Sequence, residues 1–163
     1  MNYTTNFIKS YVRIVLMTIN RQKCPSCGRY AGRPLSIDAL IVKDGKILLI
    51  KRGVKPYKDF WALPGGHVDF DETVEEAVVR EIKEETSLDV ISLKFLGLYS
   101  DPGRHPDQSV AVSYVVNFIG EPKAGDDAEE CRFFPLDSLP ENLAFDHQKI
   151  INDFKNTSST PGV

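Results

Sequence analysis

The stretch that decides the fold runs from residue 65 to residue 88 and reads GGHVDFDETVEEAVVREIKEETSL. Thr73 is followed three residues later by Glu76, which forms a capping box, and neither Gly nor Pro interrupts the segment up to Thr86. The pattern predicts a helix over Thr73–Thr86. The paired glycines Gly65 and Gly66 leave the backbone open to close approach just before this helix begins, at the end where anions are favoured.

The predicted helix turns acidic side chains towards the side that it should bury. At about 100° per residue, an apolar stripe is formed by Val74, Val78 and Ile82. Glu81 and Glu85 fall beside or within this stripe, and Glu84 flanks it. Such carboxylates repel one another and are costly to bury unless a cation holds them. Oxygen ligands of this kind favour Mg²⁺ or Mn²⁺ together with substrate phosphates, so the segment indicates phosphate chemistry.

Apolar runs on both sides of this helix predict strands over Ser36–Val42, Lys46–Lys51, Ile91–Leu98, Ser109–Ile119 and Cys131–Pro135. Asp44-Gly45 between the first two is a strong hairpin signal. Glu121–Glu130 reads as an acidic loop, and a last helix is expected over Phe145–Phe154. Strands and helices in this order predict an α/β (α+β) fold, a mixed β-sheet with helices on its faces.

The chain of 163 residues suits one main domain. We expect three parts: an N-terminal extension over 1–35 with a single Cys24-Pro25-Ser26-Cys27 knuckle, a main domain over 36–155, and a flexible tail over 156–163. We interpret the apolar stretch of the extension, interrupted by Lys9 and Arg13, as an amphipathic element that packs on the domain or on a second subunit. It is too short and too charged to span a bilayer.

Charge and cysteine content exclude several kinds of partner. The 20 basic and 23 acidic residues give a formal net charge of −3, which supplies no general attraction to nucleic acid or to an anionic membrane. Three cysteines make no disulfide framework and fit a reduced compartment. The sequence therefore predicts a cytoplasmic protein with a small-molecule partner, without nucleic acid and without membrane.

The central stretch resembles the signature of a known family. Gly66, five residues, Glu72, seven residues and then Arg80-Glu81-Ile82-Lys83-Glu84-Glu85 are similar to the Nudix box, G-x5-E-x7-R-E-U-x-E-E-x-G-U, where U is a bulky aliphatic residue. The one departure is Ser87 in place of the late Gly, which we interpret as the helix C-cap. The resemblance implies a Nudix-like α/β/α sandwich with a mixed sheet over about Ser36–Phe154.

The resemblance also implies a metal site. Glu81 and Glu85 would be the principal ligands of Mg²⁺ or Mn²⁺, Glu84 would be a further ligand, direct or through water, and the carbonyl of Gly65 would complete the set. Metals so placed neutralise charge on the bridging and leaving oxygens of a diphosphate and make a water nucleophilic.

Two further roles concern orientation and proton transfer. Arg80 and Glu72 would form an ion pair that orients the catalytic helix. The general base could be Glu81 itself or an acid from the Gly125–Glu130 loop. Within that loop we favour Glu130, followed by Asp126 and Asp127.

The substrate implied by the family is a nucleoside diphosphate linked to another moiety. Leu98–Pro106 and Leu143–His147 resemble segments of ADP-ribose pyrophosphatases. Arg104 could contact the diphosphate or the ribose, or it could be a plain surface residue, and Gly66 would lie against the substrate. Trp61 could stack on a base, although core packing is the stronger interpretation. We therefore expect cleavage of ADP-ribose to AMP and ribose 5-phosphate.

Three further functions are compatible with the sequence. The first is that of NADH pyrophosphatases, which carry zinc ribbons. Cys24 and Cys27 could hold Zn²⁺ if Cys131, a histidine or a second copy supplied the missing ligands. The second is cleavage of nucleoside triphosphates by a pyrophosphohydrolase, and the third is that of a non-catalytic nucleotide sensor. We expect a homodimer, because related ADP-ribose enzymes often pair and residues 1–23 of the extension offer apolar surface.

Overall fold

The computed structural model describes residues 32–125 and 128–158. The chain divides into two compact units, 1–32 and 33–163, and the elements described below belong to the second. Several predicted features lie outside the described residues: residues 1–31 of the extension with the Cys24 and Cys27 knuckle and its zinc site, the acids Asp126 and Asp127, and the end of the tail. The last residue of the predicted extension, Leu35, is the first of a strand. None of the described helices is long and apolar enough to cross a membrane.

Within the described residues the strands are β1 (Leu35–Lys43), β2 (Lys46–Arg52), β3 (Trp61–Ala62), β4 (Asp89–Tyr99), β5 (Val110–Ile119) and β6 (Ala128–Pro135). The helices are α1 (Val74–Thr86) and α2 (His147–Ser158). The predicted helix after Thr73 and the predicted strands on both sides of it are therefore present.

The strands form one mixed sheet in two halves. In one half β5 pairs parallel with β1 and antiparallel with β4, which is the edge strand. In the other half β2 pairs antiparallel with both β3 and β6. The halves meet at the β1–β2 hairpin, whose turn residues Asp44 and Gly45 have φ angles of 50° and 71°. These left-handed angles are those that a tight hairpin turn requires.

Alternate side chains of β1 enter two separate cores. One core packs β1 against α1 and contains Ile37, Ala39, Ile41, Ala77, Val78 and Ile82. The other contains Leu40 together with Ile150 and Ile151 of α2. Because successive side chains of a strand point to opposite faces, the sheet lies between the two helices. The predicted mixed-sheet α/β/α architecture is confirmed.

Local side chains define both ends of α1. The hydroxyl of Thr73 accepts a hydrogen bond from the N–H of Glu76 at 3.2 Å, and the Glu76 carboxylate accepts one from the N–H of Thr73 at 2.7 Å. At the other end Ser87 adopts the left-handed conformation with φ 60°, and its N–H donates to the carbonyl of Lys83. Ser87 thus takes the conformation that the late glycine of the Nudix box favours.

The structure differs from the prediction most clearly at β3, β6 and α2. The two-residue strand β3 exists because it pairs with β2, a non-local partner. Strand β6 begins at Ala128, so the last residues of the predicted acidic loop are extended. Helix α2 begins after Phe145, whose φ of 54° is incompatible with an α-helix, and it continues to Ser158 through the start of the predicted tail.

Candidate functional site

A cleft of about 510 Å³ lies where the Gly65–Gly66 loop and α1 meet the 101–109 loop and the segment leading into α2. Acidic side chains line one part of it, among them Asp69, Glu81 and Glu85. Cationic and aromatic side chains line other parts, among them Arg52, Lys55, Arg104, His105 and Phe145. An anionic ligand in this cleft would therefore meet both carboxylates that can hold a cation and fixed positive charges.

The glycine loop allows very close contacts on both of its sides. A Cβ on Gly66 would lie 2.1 Å from Oε1 of Glu81, and a Cβ on Gly65 would lie 2.1 Å from the carbonyl oxygen of Ile37. The loop is attached to β1, since the N–H of Ile37 donates to the carbonyl of Gly66 at 2.8 Å. The N–H of Gly65 donates to Oε2 of Glu85 at 2.9 Å. Only glycine fits at these two positions, which explains the pair in the sequence.

Arg80 connects the acids of the Nudix box. Its guanidinium donates to both carboxylate oxygens of Glu72, at 3.0 and 2.7 Å, so the expected ion pair is present. Its Nη1 also donates to Glu81 at 2.9 Å and to Glu84 at 3.1 Å. The hydrogen bond from Arg80 lowers the pKa of Glu72 to about 2, and the bond to Glu72 raises the pKa of Arg80. Arg80 therefore stays charged and fixes the orientation of three carboxylates.

The carboxylate of Glu81 is largely buried, which is unusual for a charged group. Its side chain is only 14% exposed. Burial raises its pKa above the ordinary value, and the hydrogen bond and charge of Arg80 oppose this without cancelling it. The nearby charges of Glu84 and Asp69 raise the pKa further. A buried carboxylate with a raised pKa is suited to proton transfer or to neutralisation by a cation.

The donor set fits a hard divalent cation. Glu81 and Glu85 line the cleft, and Glu84, whose side chain is 44% exposed, flanks it through its bond to Arg80. Among the described residues, no three His, Cys, Asp or Glu side chains form a cage that could hold an ion by themselves. A few carboxylates completed by phosphate oxygens and water are the arrangement that Mg²⁺ prefers in proteins.

Arg104 reaches the wall of the cleft, but protein carboxylates bind its guanidinium. Its Nη2 lies 3.0 Å from Oδ2 of Asp38 and 2.9 Å from Oδ1 of Asp146, and its side chain is 3% exposed. The interpretation as a plain surface arginine is therefore wrong. Its predicted direct contact with substrate would compete with these two ion pairs.

Asp38 and His147 belong to the same buried network, and neither was predicted as a site residue from the sequence. His147 is 2% exposed and Asp38 6% exposed. The Nε2 of His147 lies 3.3 Å from Oδ1 of Asp38. One signal was available, since Asp38 is an acid within an otherwise apolar strand, Ile37–Val42.

Glu130 does not line the described cleft, against the expectation that it supplies the general base. It lies in β6 opposite Lys51, is exposed, and its Oε1 is 3.5 Å from Nε of Arg132. The preceding loop does approach α1, since the N–H of Gly125 donates to the carbonyl of Glu85 at 3.2 Å. The start of β6 at Ala128 then carries Glu130 into the sheet.

The side chains of Trp61 and Cys131 pack within the domain. Trp61 is 7% exposed and its ring packs edge-to-face on Phe134 with centroids 4.7 Å apart, so core packing is the correct one of its two interpretations. Cys131 is a half-buried free thiol, and burial raises its pKa.

The fold is a mixed sheet between two helices, and the cleft places carboxylates of α1 against a glycine loop. Residues 32–154 match the sequence model of the NUDIX domain family, and the chain belongs to this family. It is 53% identical over 127 residues to a protein of Methanocaldococcus jannaschii named ADP-ribose pyrophosphatase, covering 77% of this chain and 75% of the relative.

Two solved structures share the fold at lower sequence identity. The NUDIX domain of Shewanella oneidensis NrtR, complexed with ADP ribose, has a TM-score of 0.72 at 26% identity over 83% of this chain and 94% of its own. A bifunctional NMN adenylyltransferase/ADP ribose pyrophosphatase of Francisella tularensis, complexed with AMP and a Mn ion, has a TM-score of 0.66 at 27% identity. The match covers 94% of this chain and 47% of that protein.

Proposed function

We propose that this protein is a Mg²⁺- or Mn²⁺-dependent pyrophosphohydrolase that cleaves ADP-ribose to AMP and ribose 5-phosphate. The observation that carries the proposal is the placement of Glu81 against Gly66 and of Glu85 against Gly65, in the cleft of a chain 53% identical to a protein named ADP-ribose pyrophosphatase. The ADP ribose, AMP and Mn ion named for the two structural relatives support the same ligand class.

The cation would be held by Glu81 and Glu85, with Glu84 and the Gly65 carbonyl as further ligands. When bound, it supplies charge neutralisation on the diphosphate and an activated water. Arg80 keeps Glu81 and Glu84 oriented through its hydrogen bonds at 2.9 and 3.1 Å. Glu81 is the better candidate for the general base, because it lines the cleft and its pKa is raised, whereas Glu130 is exposed on β6.

Cationic groups in the cleft are suited to the charge of the diphosphate. Arg52 and Lys55 line the wall formed by the end of β2 and the segment after it. Arg52 lies 5.1 Å from the ring centroid of Phe145, and its Nε donates to the carbonyl of Pro56 at 2.9 Å, so its position is fixed. Charges that are fixed before binding cost little reorganisation when an anion arrives.

A substrate panel tests the proposal. The full chain would be incubated with Mg²⁺ and, separately, ADP-ribose, NADH, NAD⁺, sugar nucleotides and nucleoside triphosphates, with products identified by chromatography. We expect AMP and ribose 5-phosphate from ADP-ribose at the highest kcat/KM. Turnover of NADH alone or of triphosphates alone would assign the corresponding pyrophosphohydrolase function instead. Binding of ADP-ribose without turnover would support a nucleotide sensor.

Assembly and location are part of the same proposal. We infer a cytoplasmic homodimer that binds neither nucleic acid nor membrane. The formal charge of −3 argues against binding to nucleic acid or to an anionic membrane, and the odd number of cysteines supports a reduced compartment. Apolar side chains exposed on the edge strand β4 support the dimer. For Cys24 and Cys27, metal analysis of the purified chain would decide whether Zn²⁺ is bound.

A further inference from the structure

A buried polar network forms part of the cleft wall, and the proposed reaction does not use it. Asp38 comes from β1, Arg104 from the 101–109 loop, and Asp146 and His147 from the start of α2. Of these, Asp38, Arg104 and His147 are each no more than 6% exposed. Burying charged groups is costly even when they are paired, and a buried ion pair is weak evidence for a contribution to stability. Its position in the cleft wall indicates a role at the site.

The hydrogen bonds of His147 define its protonation and its direction. The main-chain N–H of Leu63 donates to Nδ1 of His147 at 2.9 Å, so Nδ1 carries no proton. The proton of the neutral ring is therefore on Nε2, which faces Oδ1 of Asp38 at 3.3 Å. The imidazole is held in one tautomer and one orientation by partners on opposite sides.

Asp38 is itself fixed as an anion. Its Oδ2 pairs with the guanidinium Nη2 of Arg104 at 3.0 Å, and its Oδ1 is left to face Nε2 of His147. Arg104 is anchored in turn by Asp146, the residue next to His147. The Asp38 carboxylate, held in place by Arg104, is therefore a strong hydrogen-bond acceptor for the Nε2–H of His147.

The other partner of His147 leads directly to the glycine loop. Leu63 is the first residue after β3, and it is followed by Pro64 and Gly65. The carbonyl of Pro64 accepts from the N–H of Ala39 at 2.8 Å, and the N–H of Gly65 donates to Glu85 at 2.9 Å. His147 thus holds the segment at a point two residues before the proposed carbonyl ligand.

We propose that His147 is a positioning residue for the Gly65–Gly66 loop. Its Nδ1 fixes the backbone at Leu63, and this places Gly65 against Glu85 and β1. The turnover test of this inference rests on the proposed function. The metal-binding test needs no substrate and does not depend on that function. Loss of an indirect support for a metal site typically costs roughly 10- to 100-fold in metal affinity or activity.

Two substitutions separate the two hydrogen bonds of His147. In His147→Asn the amide oxygen is as many bonds from Cα as Nδ1, so it can still accept from Leu63, while the donor to Asp38 is lost. In His147→Gln the amide nitrogen is as many bonds from Cα as Nε2, so it can still donate to Asp38, while the acceptor for Leu63 is lost. If His147 contributed only to folding, metal binding would not depend on which of the two hydrogen bonds, to Leu63 or to Asp38, was lost.

Mn²⁺ binding to the full chain without substrate is the first measurement, made by electron paramagnetic resonance. We expect His147→Asn to bind Mn²⁺ within about threefold of wild type, and His147→Gln to bind it roughly 10- to 100-fold more weakly. With ADP-ribose, kcat should fall by a similar factor in His147→Gln while KM stays within about threefold. Gln148→Ala, an exposed neighbour on α2, is the control and should match wild type in both measurements.

Equal Mn²⁺ affinities in the two His147 variants, or losses that follow only their melting temperatures, would overturn the positioning role. If wild type did not cleave ADP-ribose, the proposed function would fail while the Mn²⁺ comparison still tested His147. If neither variant folded, the ¹⁵N spectrum of the wild-type histidines would decide. The inference requires the Nε2–H tautomer with coupling across the Leu63 hydrogen bond, and an Nδ1–H tautomer would contradict it.

Discussion

Glu85 combines a structural hydrogen bond with the charge that a cation needs, and the two can be separated. Its Oε2 accepts from the N–H of Gly65 at 2.9 Å, and the side chain lines the cleft. In Glu85→Gln the amide oxygen can still accept this bond, so the loop should keep its place while the negative charge is lost. We expect kcat to fall by roughly a hundredfold or more, since a metal contributes several kcal/mol and about 1.36 kcal/mol is one factor of ten.

The matched control for this prediction is Glu84→Gln on the same helix. The side chain of Glu84 is 44% exposed and flanks the cleft, so its loss should reduce kcat less than the loss of Glu85. Steady-state kinetics over a range of Mg²⁺ concentrations measures both variants. Wild-type turnover by Glu85→Gln would contradict the assignment of Glu85 as a metal ligand.

Glu81 should cost the metal-free protein stability at neutral pH. Because burial raises its pKa, the folded protein binds more protons than the unfolded chain between the two pKa values, and stability falls as pH rises through that window. Metal-free Glu81→Gln should therefore be more stable than wild type at pH 7, by up to about 1 kcal/mol. The difference should shrink at acidic pH, where the wild-type carboxyl is also neutral.

Denaturant unfolding in the presence of a chelator, at pH 7 and at a lower pH, measures this difference. The variant should also be inactive, as expected where a site is built at the expense of stability. Glu84→Gln, whose side chain is more exposed, should change stability little at either pH. A Glu81→Gln protein that is less stable than wild type at pH 7 would show that the Arg80 interaction outweighs burial.

At the scale of elements, the residue that caps the C-terminal end of α1 is strained. Ser87 has φ 60°, a conformation that costs a residue with a Cβ about 1 kcal/mol, and its hydroxyl donates to the carbonyl of Lys123 at 3.3 Å. Ser87→Gly removes the strain, loses this long hydrogen bond and increases the entropy of the unfolded chain. We expect a net gain in the free energy of unfolding of up to about 0.5 kcal/mol.

Ser87→Ala is the control, because it loses the same hydroxyl and keeps the strain. It should be less stable than both wild type and Ser87→Gly when the three proteins are compared by chemical unfolding. A Ser87→Gly protein that is less stable than Ser87→Ala would mean that strain at this cap does not contribute.

The elements that the sequence predicts well are those with local causes. Helix α1 follows from its capping box and apolar stripe, and the β1–β2 hairpin follows from Asp44-Gly45. Strand β3 and the early start of β6 depend on pairing with β2, which local sequence patterns do not predict. The Nudix box likewise indicates Glu81, Glu85 and the Arg80–Glu72 pair, because all of them lie within one helix and its approach.

The buried network could not be predicted because its contacts span most of the domain. Arg104 and Asp38 are 66 residues apart in sequence, and Leu63 and His147 are 84 apart. The sequence could suggest that Arg104 meets an anion, but only the fold determines which one. The position of Glu130 likewise follows from the register of β6 and not from the acidic composition around it.

At the scale of the whole molecule, the sheet has an exposed apolar edge. Strand β4 is an edge strand of 11 residues, and three of its large apolar side chains are exposed: Ile91 at 61%, Phe95 at 58% and Leu98 at 58%. A long edge strand with exposed apolar side chains favours pairing with another surface unless it is covered. This supports the proposed homodimer and indicates where a second copy would bind.

Sedimentation equilibrium of the full chain tests the dimer, and we expect a mass of twice 18.3 kDa. Phe95→Lys places a charge on the edge strand and should shift the equilibrium towards the single-chain mass, because burying an unpaired charge in an interface is costly. Val79→Lys is the control, since Val79 is 45% exposed on α1 and lies on a different element. A wild-type mass of a single chain would refute the dimer, and a dimer unaffected by Phe95→Lys would place its interface elsewhere.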